Sequence, residues 1–200
     1  MAKSLILILL FCSYSYASEK AVCRIVSHGP TTNVGTGTFV KKTKQGYLIL
    51  TCGHVIADGI FFSINVFNDS KKSMAIPAKL KFSSFAGIIS YDDLALLEIR
   101  DKDLRGYVPD VIEIASELPS KDDKVYGYGF PGGRWVQRWD GRVIEILDEN
   151  IFFDAIPTPG QSGSAILTLV NGKPRIVGMI LWTFPDRGGG SHIVSIRSLL

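Results

Sequence analysis

The chain has 200 residues, of which 46% are hydrophobic and 20% are charged, and its formal net charge is +3 at pH 7. This is the composition of a folded protein, and the length suits one domain or two small halves that share a core. No run of lysine and arginine is long enough for a nucleic-acid footprint, so we expect no nucleic-acid partner.

The N-terminus has the pattern of a secretory signal peptide over residues 1–17. Lys3 supplies a positive charge, residues 5–12 are an apolar run, and Ser15 and Ala17 are small residues before the expected cleavage point. The apolar run is well below the roughly 20 residues that span a bilayer. A buried N-terminal strand and an uncleaved anchor are the alternatives. We expect cleavage after Ala17, a secreted or periplasmic location, and no stable membrane insertion of the mature chain.

Two cysteines, Cys23 and Cys52, lie outside the predicted signal peptide. In an oxidising compartment they could form one disulfide, and a pair of buried free thiols is the alternative. Neither cysteine belongs to a C-x-x-C or C-x-x-H pattern, so we expect no metal site.

The first half of the chain consists of short strand patterns separated by turns. Ile60–Phe67 alternates apolar and polar residues, which is the period of a half-buried strand. A polar Lys-Lys-Thr-Lys-Gln turn before Gly46 predicts a hairpin. The strands predicted in this half are Val22–Val26, Gly35–Lys41, Gly46–Thr51, Ile60–Phe67, Met74–Phe82 and Asp93–Ile99.

Residues 100–121 mix charges and prolines with short apolar pieces, which predicts a connection between two halves. In the second half, Asn171-Gly172 between two apolar runs predicts a tight hairpin turn. Gly132–Gly141 is predicted to be a long loop, Gly188–Gly190 a flexible loop, and Ser195–Leu200 a short terminal helix. The strands predicted here are Lys124–Tyr128, Gly141–Leu147, Asn150–Ala155, Ser164–Val170, Arg175–Phe184 and His192–Ile196.

Three short motifs place a histidine, an aspartate and a serine beside strands. His54 ends Thr51-Cys52-Gly53-His54, Asp93 begins Asp93-Leu94-Ala95-Leu96-Leu97, and Ser162 is the centre of Gly160-Gln161-Ser162-Gly163-Ser164. An aspartate at the edge of an apolar strand is costly to bury unless it is hydrogen-bonded, and a histidine N–H would satisfy it. Glycines allow a sharp turn that exposes a serine hydroxyl beside backbone N–H groups. The motifs therefore predict a nucleophilic serine with a base and a carboxylate.

The order His, Asp, Ser and the local sequence of each motif resemble the chymotrypsin/trypsin-like serine peptidases, in particular the bacterial trypsin-like peptidase domain. The resemblance covers roughly Val22 to Leu200. It implies an all-β fold of two antiparallel six-stranded barrels, at about residues 22–105 and 121–196, within a peptidase domain of residues 18–200. It also implies a serine endopeptidase that acts on protein or peptide substrates without a cofactor, and we expect a monomer.

The resemblance assigns a role to each motif. Ser162 would be the nucleophile, His54 the general base and acid, and Asp93 the residue that orients His54. We prefer Asp93 to Asp92 because the family carboxylate directly precedes the Leu-Ala pair. The backbone N–H groups of Gly160 and Ser162 would form the oxyanion hole.

Departures from the family pattern bear on activation and specificity. Gln161 stands where digestive members have the aspartate that pairs with a new N-terminus, so we expect an active-site loop that forms without that ion pair. Ile180 stands where acid-specific members have a histidine, although His192 could reach the pocket from the next strand. No carboxylate is evident in the implied pocket, so we expect small or medium uncharged side chains to be preferred. The implied substrate-binding residues are Ile156, Leu181, Trp182, Thr183, Ser191 and His192.

Two other functions compete with this hypothesis. The first is a catalytically inactive or weakly active binding module of the same fold, which would have no physical need for all three motif residues. The second is an esterase-type hydrolase, which usually carries Gly-x-Ser-x-Gly and places the serine before the aspartate and the histidine. The order in this chain disfavours the second.

Overall fold

The computed structural model describes residues 19–67, 73–192 and 200. The predicted signal peptide lies outside the described residues. So do most of the predicted terminal helix and the end of the strand predicted over His192–Ile196.

The described strands close into two antiparallel barrels of six strands each, which confirms the predicted fold class. Barrel one contains β1 (Val22–His28), β2 (Thr32–Lys42), β3 (Gly46–Thr51), β4 (Phe61–Phe67), β5 (Ser73–Ser83) and β6 (Ala95–Arg100) in the order β1-β2-β3-β6-β5-β4. Barrel two contains β7 (Lys124–Gly129), β8 (Gln137–Leu147), β9 (Asn150–Phe153), β10 (Ala165–Val170), β11 (Lys173–Thr183) and β12 (Gly188–His192) in the order β10-β11-β12-β9-β8-β7.

Helical structure in the described ranges is confined to short pieces. A one-turn helix, α1 (Gly53–Ile56), follows β3, and 3₁₀ turns occupy Asp101–Leu104 and Pro131–Gly133. Between the barrels the chain runs without further strands, except for an isolated parallel bridge from Ile114 to Ile176. The predicted connection is therefore confirmed.

The apolar residues of each strand alternate into the interior of its barrel, as the period-two pattern predicts. Ile25, Ile49 and Leu97 are fully buried in barrel one, and Phe153 and Ile166 are fully buried in barrel two. Because the strands pair all the way round each barrel, neither sheet has an open edge. Closure thereby removes the unpaired backbone groups that an edge would expose.

The barrels meet where the loop after β7 packs on barrel one. The ring of Phe67 lies 5.4 Å from that of Phe130, measured between centroids. Arg24 Nη1 donates a hydrogen bond to the Gly133 carbonyl at 2.8 Å. This junction positions the loops of barrel two against the ends of β2 and β3.

The glycine run Gly188–Gly190 is part of a buried strand, so the prediction of a flexible loop was wrong. Gly189 pairs with Phe152 of β9 on one side and with Trp182 of β11 on the other. A Cβ on Gly189 would lie 2.5 Å from Trp182 Cδ1, so the indole ring occupies the space that a side chain would need. Glycine is required here because the rings of Phe153 and Trp182 fill the space of a side chain. Three consecutive glycines in a sequence do not indicate such neighbours.

The prediction of a loop over Gly132–Gly141 was also wrong in its second half, because β8 begins at Gln137. Trp139 pairs with Gly127, and its ring stacks on Phe153 at 5.0 Å between centroids. The Trp139 ring thus packs on residues of β7 and β9. Because those partners are distant in the sequence, the local pattern did not indicate a strand here.

Cys23 and Cys52 are free, buried thiols in this structure, so of the two alternatives the free pair is observed. Cys23 packs against Gly37 inside barrel one, whereas Cys52 Sγ donates to the Ile180 carbonyl of barrel two at 3.1 Å. The two side chains thus have different neighbours. Burial raises the pKa of both thiols well above the usual value, which keeps them protonated and unreactive near neutral pH.

No helix within the described ranges is both long enough and apolar enough to cross a membrane.

Candidate active site

His54 and Asp93 form a hydrogen-bonded pair at the edge of barrel one. His54 Nδ1 lies 2.5 Å from Asp93 Oδ2, and the backbone N–H of His54 donates to Asp93 Oδ1 at 2.8 Å. The Asp93 carboxylate is fully buried, while the His54 side chain keeps 20% of its surface exposed. Because an ionised carboxylate can only accept, the hydrogen on the imidazole lies on Nδ1, which leaves Nε2 as the acceptor.

Strand pairing and a glycine bring this pair together. Thr51 at the end of β3 pairs with Ala95 at the start of β6, so the residues that follow β3 and precede β6 are neighbours. A Cβ on Gly53 would lie 2.8 Å from Asp93 Oδ1 and 2.5 Å from Phe85 Cβ. The glycine between Cys52 and His54 therefore provides the space into which the carboxylate fits.

Ser162 lies in a loop, Thr158–Gly163, which we call the nucleophile loop. Gly160 and Gly163 have φ angles of +94° and +86°, a backbone conformation that side chains rarely tolerate. The loop is anchored to β11, since Gly163 N donates to Ile180 O at 2.9 Å. These turns leave Ser162 partly exposed at the junction of the two barrels.

The nucleophile loop also contacts the segment that carries His54. Ser162 O accepts a hydrogen bond from Thr36 N of barrel one at 2.8 Å. A Cβ on Gly163 would lie 2.5 Å from Thr51 Oγ1 and 3.2 Å from Cys52 N, so this loop packs directly on the end of β3. The structure thus brings the serine motif against the strand end from which His54 and its carboxylate project.

Two backbone N–H groups beside Ser162 are available to a ligand. Among the hydrogen bonds of the described residues, neither Gly160 N nor Ser162 N donates to a backbone acceptor. The carbonyls of the same two peptide groups are occupied: Pro159 O accepts from Gly132 N at 2.7 Å, and Gln161 O accepts from Ser164 N at 2.9 Å. In a planar trans peptide the N–H points away from its carbonyl, so anchored carbonyls fix the direction of both free donors.

Gln161 closes the nucleophile loop with a neutral contact. Its side chain is buried, and Oε1 accepts from Thr158 N at 2.8 Å and from Thr158 Oγ1 at 3.1 Å. The side chain at this position therefore holds the loop through neutral hydrogen bonds.

Cys52 lies nearer to this site than the sequence analysis recognised. One ligand atom from each of Cys52, His54 and Asp93 lies within 4.8 Å of the others, which is close enough to hold a metal ion. Burial, and to a smaller extent the Asp93 charge, raises the pKa of the Cys52 thiol. The Cys-x-His spacing of Cys52 and His54 is the signal of this proximity in the sequence, and it is shorter than the C-x-x-C and C-x-x-H spacings of zinc sites.

The implied substrate-binding residues divide into two groups. Ile156 precedes the nucleophile loop and is 54% exposed, while Leu181, Trp182 and Thr183 end β11 directly after the residue that anchors that loop. Of these four residues, only Leu181 is buried.

Ser191 and His192 have other partners. Ser191 is fully buried, and its hydroxyl donates to the His192 carbonyl at 3.1 Å. His192 Nε2 donates to the Asp148 carbonyl at 2.9 Å, and His192 N donates to Glu149 O at 3.0 Å. The histidine ring is therefore engaged at the turn between β8 and β9, a contact that the sequence could not predict.

Two six-stranded barrels with a histidine–carboxylate pair beside a glycine-flanked serine define the class of double-barrel serine hydrolases. The family model described as the trypsin-like peptidase domain matches residues 35–179, more than half of the chain. The chain belongs to this family. It is accordingly a serine endopeptidase, a hydrolase that acts on protein or peptide substrates.

Solved structures share the fold. The active form of the Rv3671c protease from M. tuberculosis is 19% identical, with a TM-score of 0.73 over 95% of this chain and 83% of that chain. The serine endoprotease from Yersinia pestis is 21% identical, with a TM-score of 0.72 over 94% of this chain and 64% of that chain. Among curated proteins, none gives a significant match.

Proposed function

We propose that the protein is an exported serine endopeptidase that works through an acyl-enzyme, with Ser162 as nucleophile, His54 as general base and acid, and Asp93 as the orienting carboxylate. The observation that carries this proposal is the 2.5 Å contact between His54 Nδ1 and the buried Asp93, next to the nucleophile loop. A buried carboxylate is costly unless it is hydrogen-bonded, and both the imidazole and the backbone N–H of His54 bond to Asp93.

In the first half of the reaction, Ser162 Oγ attacks the peptide carbonyl carbon while its proton passes to His54 Nε2. The carbonyl oxygen takes the electron pair and binds the N–H groups of Gly160 and Ser162. Asp93 stabilises the imidazolium through Nδ1. When the carbon–nitrogen bond breaks, His54 returns the proton to the leaving amine and an ester remains on Ser162.

In the second half, water attacks the ester. His54 takes a proton from the water, and the oxyanion hole again binds the negative oxygen. Breaking the ester bond regenerates the Ser162 hydroxyl with the proton from His54. Every proton is thus accounted for by one histidine, and the protein supplies only orientation and electrostatic stabilisation.

A probe that reacts with activated serines distinguishes the peptidase from the binding module, because only the peptidase should be labelled. We expect the folded protein of residues 18–200 to react with a fluorophosphonate, because the activated Ser162 hydroxyl attacks phosphorus as it would attack a carbonyl. Intact-mass spectrometry would show one phosphonyl adduct, and heat-unfolded protein is the control. A folded protein that stays unlabelled would exclude this function and support the binding module.

Primary specificity for small or medium uncharged side chains is supported by Ile156 and Thr183, two exposed and uncharged residues of the implied pocket. We expect cleavage after alanine, valine or threonine to exceed cleavage after lysine or glutamate by at least about tenfold, since an apolar pocket leaves a charge uncompensated. A peptide-library cleavage profile measures this preference. A dominant basic or acidic residue at the cleaved position would contradict it.

Export is supported by the signal-peptide pattern of residues 1–17, with Lys3 before an apolar run. We expect the mature protein outside the cytoplasm to begin at Ser18, because Ser15 and Ala17 fit the small-residue cleavage rule. N-terminal sequencing of fractionated cells tests both points, and a variant with Lys3, Ser15 and Ala17 replaced by bulky residues is the control. Full-length protein retained in the cytoplasm would refute export.

A further inference from the structure

Thr36 of β2 is a fully buried threonine whose hydroxyl reaches from barrel one into the loops of barrel two. Thr36 Oγ1 donates to Gly160 O at 2.8 Å and accepts from Phe130 N at 3.1 Å. A hydroxyl has one hydrogen to donate and lone pairs to accept, so this side chain uses both capacities. One side chain therefore holds two loops at once.

The backbone of the same residue continues the network. Thr36 N donates to Ser162 O at 2.8 Å, and Thr36 O accepts from Thr51 Oγ1 at 2.8 Å. Thr51 ends the strand that leads to His54. Thr36 thus contacts both the nucleophile loop and the strand that carries the histidine.

The hydroxyl controls the peptide group between Gly160 and Gln161. This peptide has Gly160 O bound to Thr36 Oγ1, and Gln161 N donates to Thr158 O at 3.0 Å. The two free donors, Gly160 N and Ser162 N, belong to the peptide groups on either side. Because adjacent peptide planes share a Cα, fixing the central plane restricts both neighbours.

The second hydrogen bond acts on the loop after β7. Phe130 N is held by Thr36, and two residues later Gly132 N donates to Pro159 O at 2.7 Å. That carbonyl belongs to the peptide group whose N–H is the Gly160 donor. Holding Phe130 therefore supports the contact that aims Gly160 N into the cleft.

We propose that Thr36 is a positioning residue for the oxyanion hole, supplied by barrel one to donors that lie on barrel two. This inference rests on the proposed function. Gly160 has a φ of +94° and no side chain of its own, so hydrogen bonds to its two peptide groups set their orientation. The Thr36 hydroxyl supplies the one to the Gly160 carbonyl. The neutral Thr36 hydroxyl, together with Gln161, keeps the loop in its formed state without an ion pair.

The matched control is Thr38, two residues along the same strand. Thr38 is also fully buried, but its Oγ1 has no hydrogen-bond partner among the residues that the structure describes. Replacing either threonine with valine removes one hydroxyl and keeps the shape of the side chain. Only at Thr36 does the change remove contacts to the loops.

The kinetic test compares Thr36→Val, Thr36→Ser and Thr38→Val with the wild type. We expect Thr36→Val to lower kcat by about 10- to 100-fold with KM changed less than about threefold, because displaced donors stabilise the oxyanion poorly but bind the ground state normally. Thr36→Ser should restore most of kcat, and Thr38→Val should stay within about threefold of the wild type. Equal kcat values in Thr36→Val and Thr38→Val would overturn the proposal.

A second measurement reads the loop without relying on hydrolysis. In hydrogen exchange followed by mass spectrometry, peptides that cover residues 130–133 and 158–164 should exchange about tenfold faster in Thr36→Val than in Thr38→Val. Unchanged exchange would overturn the positioning role even if the wild type proved inactive. An inactive wild type whose Thr36→Val variant shows the faster exchange would instead count against the proposed peptidase function alone.

Discussion

Ser162→Ala is expected to reduce kcat by about 10⁶-fold, the loss found when a triad serine is removed from a protease of this chemistry. Ser162 supplies the only oxygen that attacks the substrate in the proposed first step, and alanine leaves just the oxyanion hole and substrate binding. KM should change little, because the hydroxyl forms its bond to the substrate only during the reaction. Steady-state kinetics with an optimised peptide would measure both parameters.

Ser164→Ala is the matched control for this prediction. Ser164 is fully buried, and its hydroxyl has no hydrogen-bond partner within the described part of the chain. Its backbone contact to Gln161 O is unaffected by the change. We expect Ser164→Ala to retain kcat within about threefold and Ser162→Ala to retain the wild-type thermal midpoint. A Ser162→Ala variant that still hydrolyses peptides at more than about 1% of the wild-type rate would show that another group is the nucleophile.

Most of the strands were predictable because each carries its own local signal. The period-two alternation of Ile60–Phe67 and the Asn171-Gly172 turn are local features that predict strands and a hairpin. The closure of these strands into two barrels was implied by the resemblance to the trypsin-like peptidases. Gly188–Gly190 shows the limit of such signals. Glycine is compatible with a flexible loop and with a crowded strand, and Trp182 decides between them only after the strands have paired.

The candidate site also contains residues that the sequence predicts and one that it does not. His54, Asp93 and Ser162 could be predicted because their motifs occur in a particular order. Thr36 could not, since its importance lies in hydrogen bonds to Gly160 and Phe130, which are 124 and 94 residues away in the chain. Hydrogen bonds between residues so far apart in the chain depend on how the two barrels pack together. The periodicity of the sequence predicts the strands but not this packing.

The two barrels contribute different residues to the candidate site. In the proposed mechanism, barrel one carries the proton-transfer pair of His54 and Asp93, and barrel two carries the proposed nucleophile Ser162 and the proposed oxyanion donors. Chemistry therefore depends on the relative position of the two barrels. Thr36 and Cys52 cross this boundary through hydrogen bonds to Gly160 and Ile180, and these two neutral contacts lie beside the site.

Asp93→Asn is expected to lower kcat by about 10⁴-fold at neutral pH, the loss that follows when the orienting carboxylate of such a triad becomes an amide. The amide oxygen can still accept from His54 N. Its NH₂ group, however, would donate to His54 Nδ1 and so favour the tautomer with hydrogen on Nε2, which cannot take the proton of Ser162. The amide also loses the charge that stabilises the imidazolium. The rate of labelling by a fluorophosphonate should fall together with kcat.

Asp92→Asn is the control, because Asp92 is the exposed neighbouring carboxylate and the competing candidate for the same role. We expect its kcat to stay within about threefold of the wild type, since the carboxylate that bonds to the imidazole is that of Asp93. Circular dichroism would establish that both variants fold, which separates loss of the tautomer from loss of the barrel. If Asp92→Asn were the damaging change and Asp93→Asn were active, the buried pair would serve stability and the catalytic carboxylate would be Asp92.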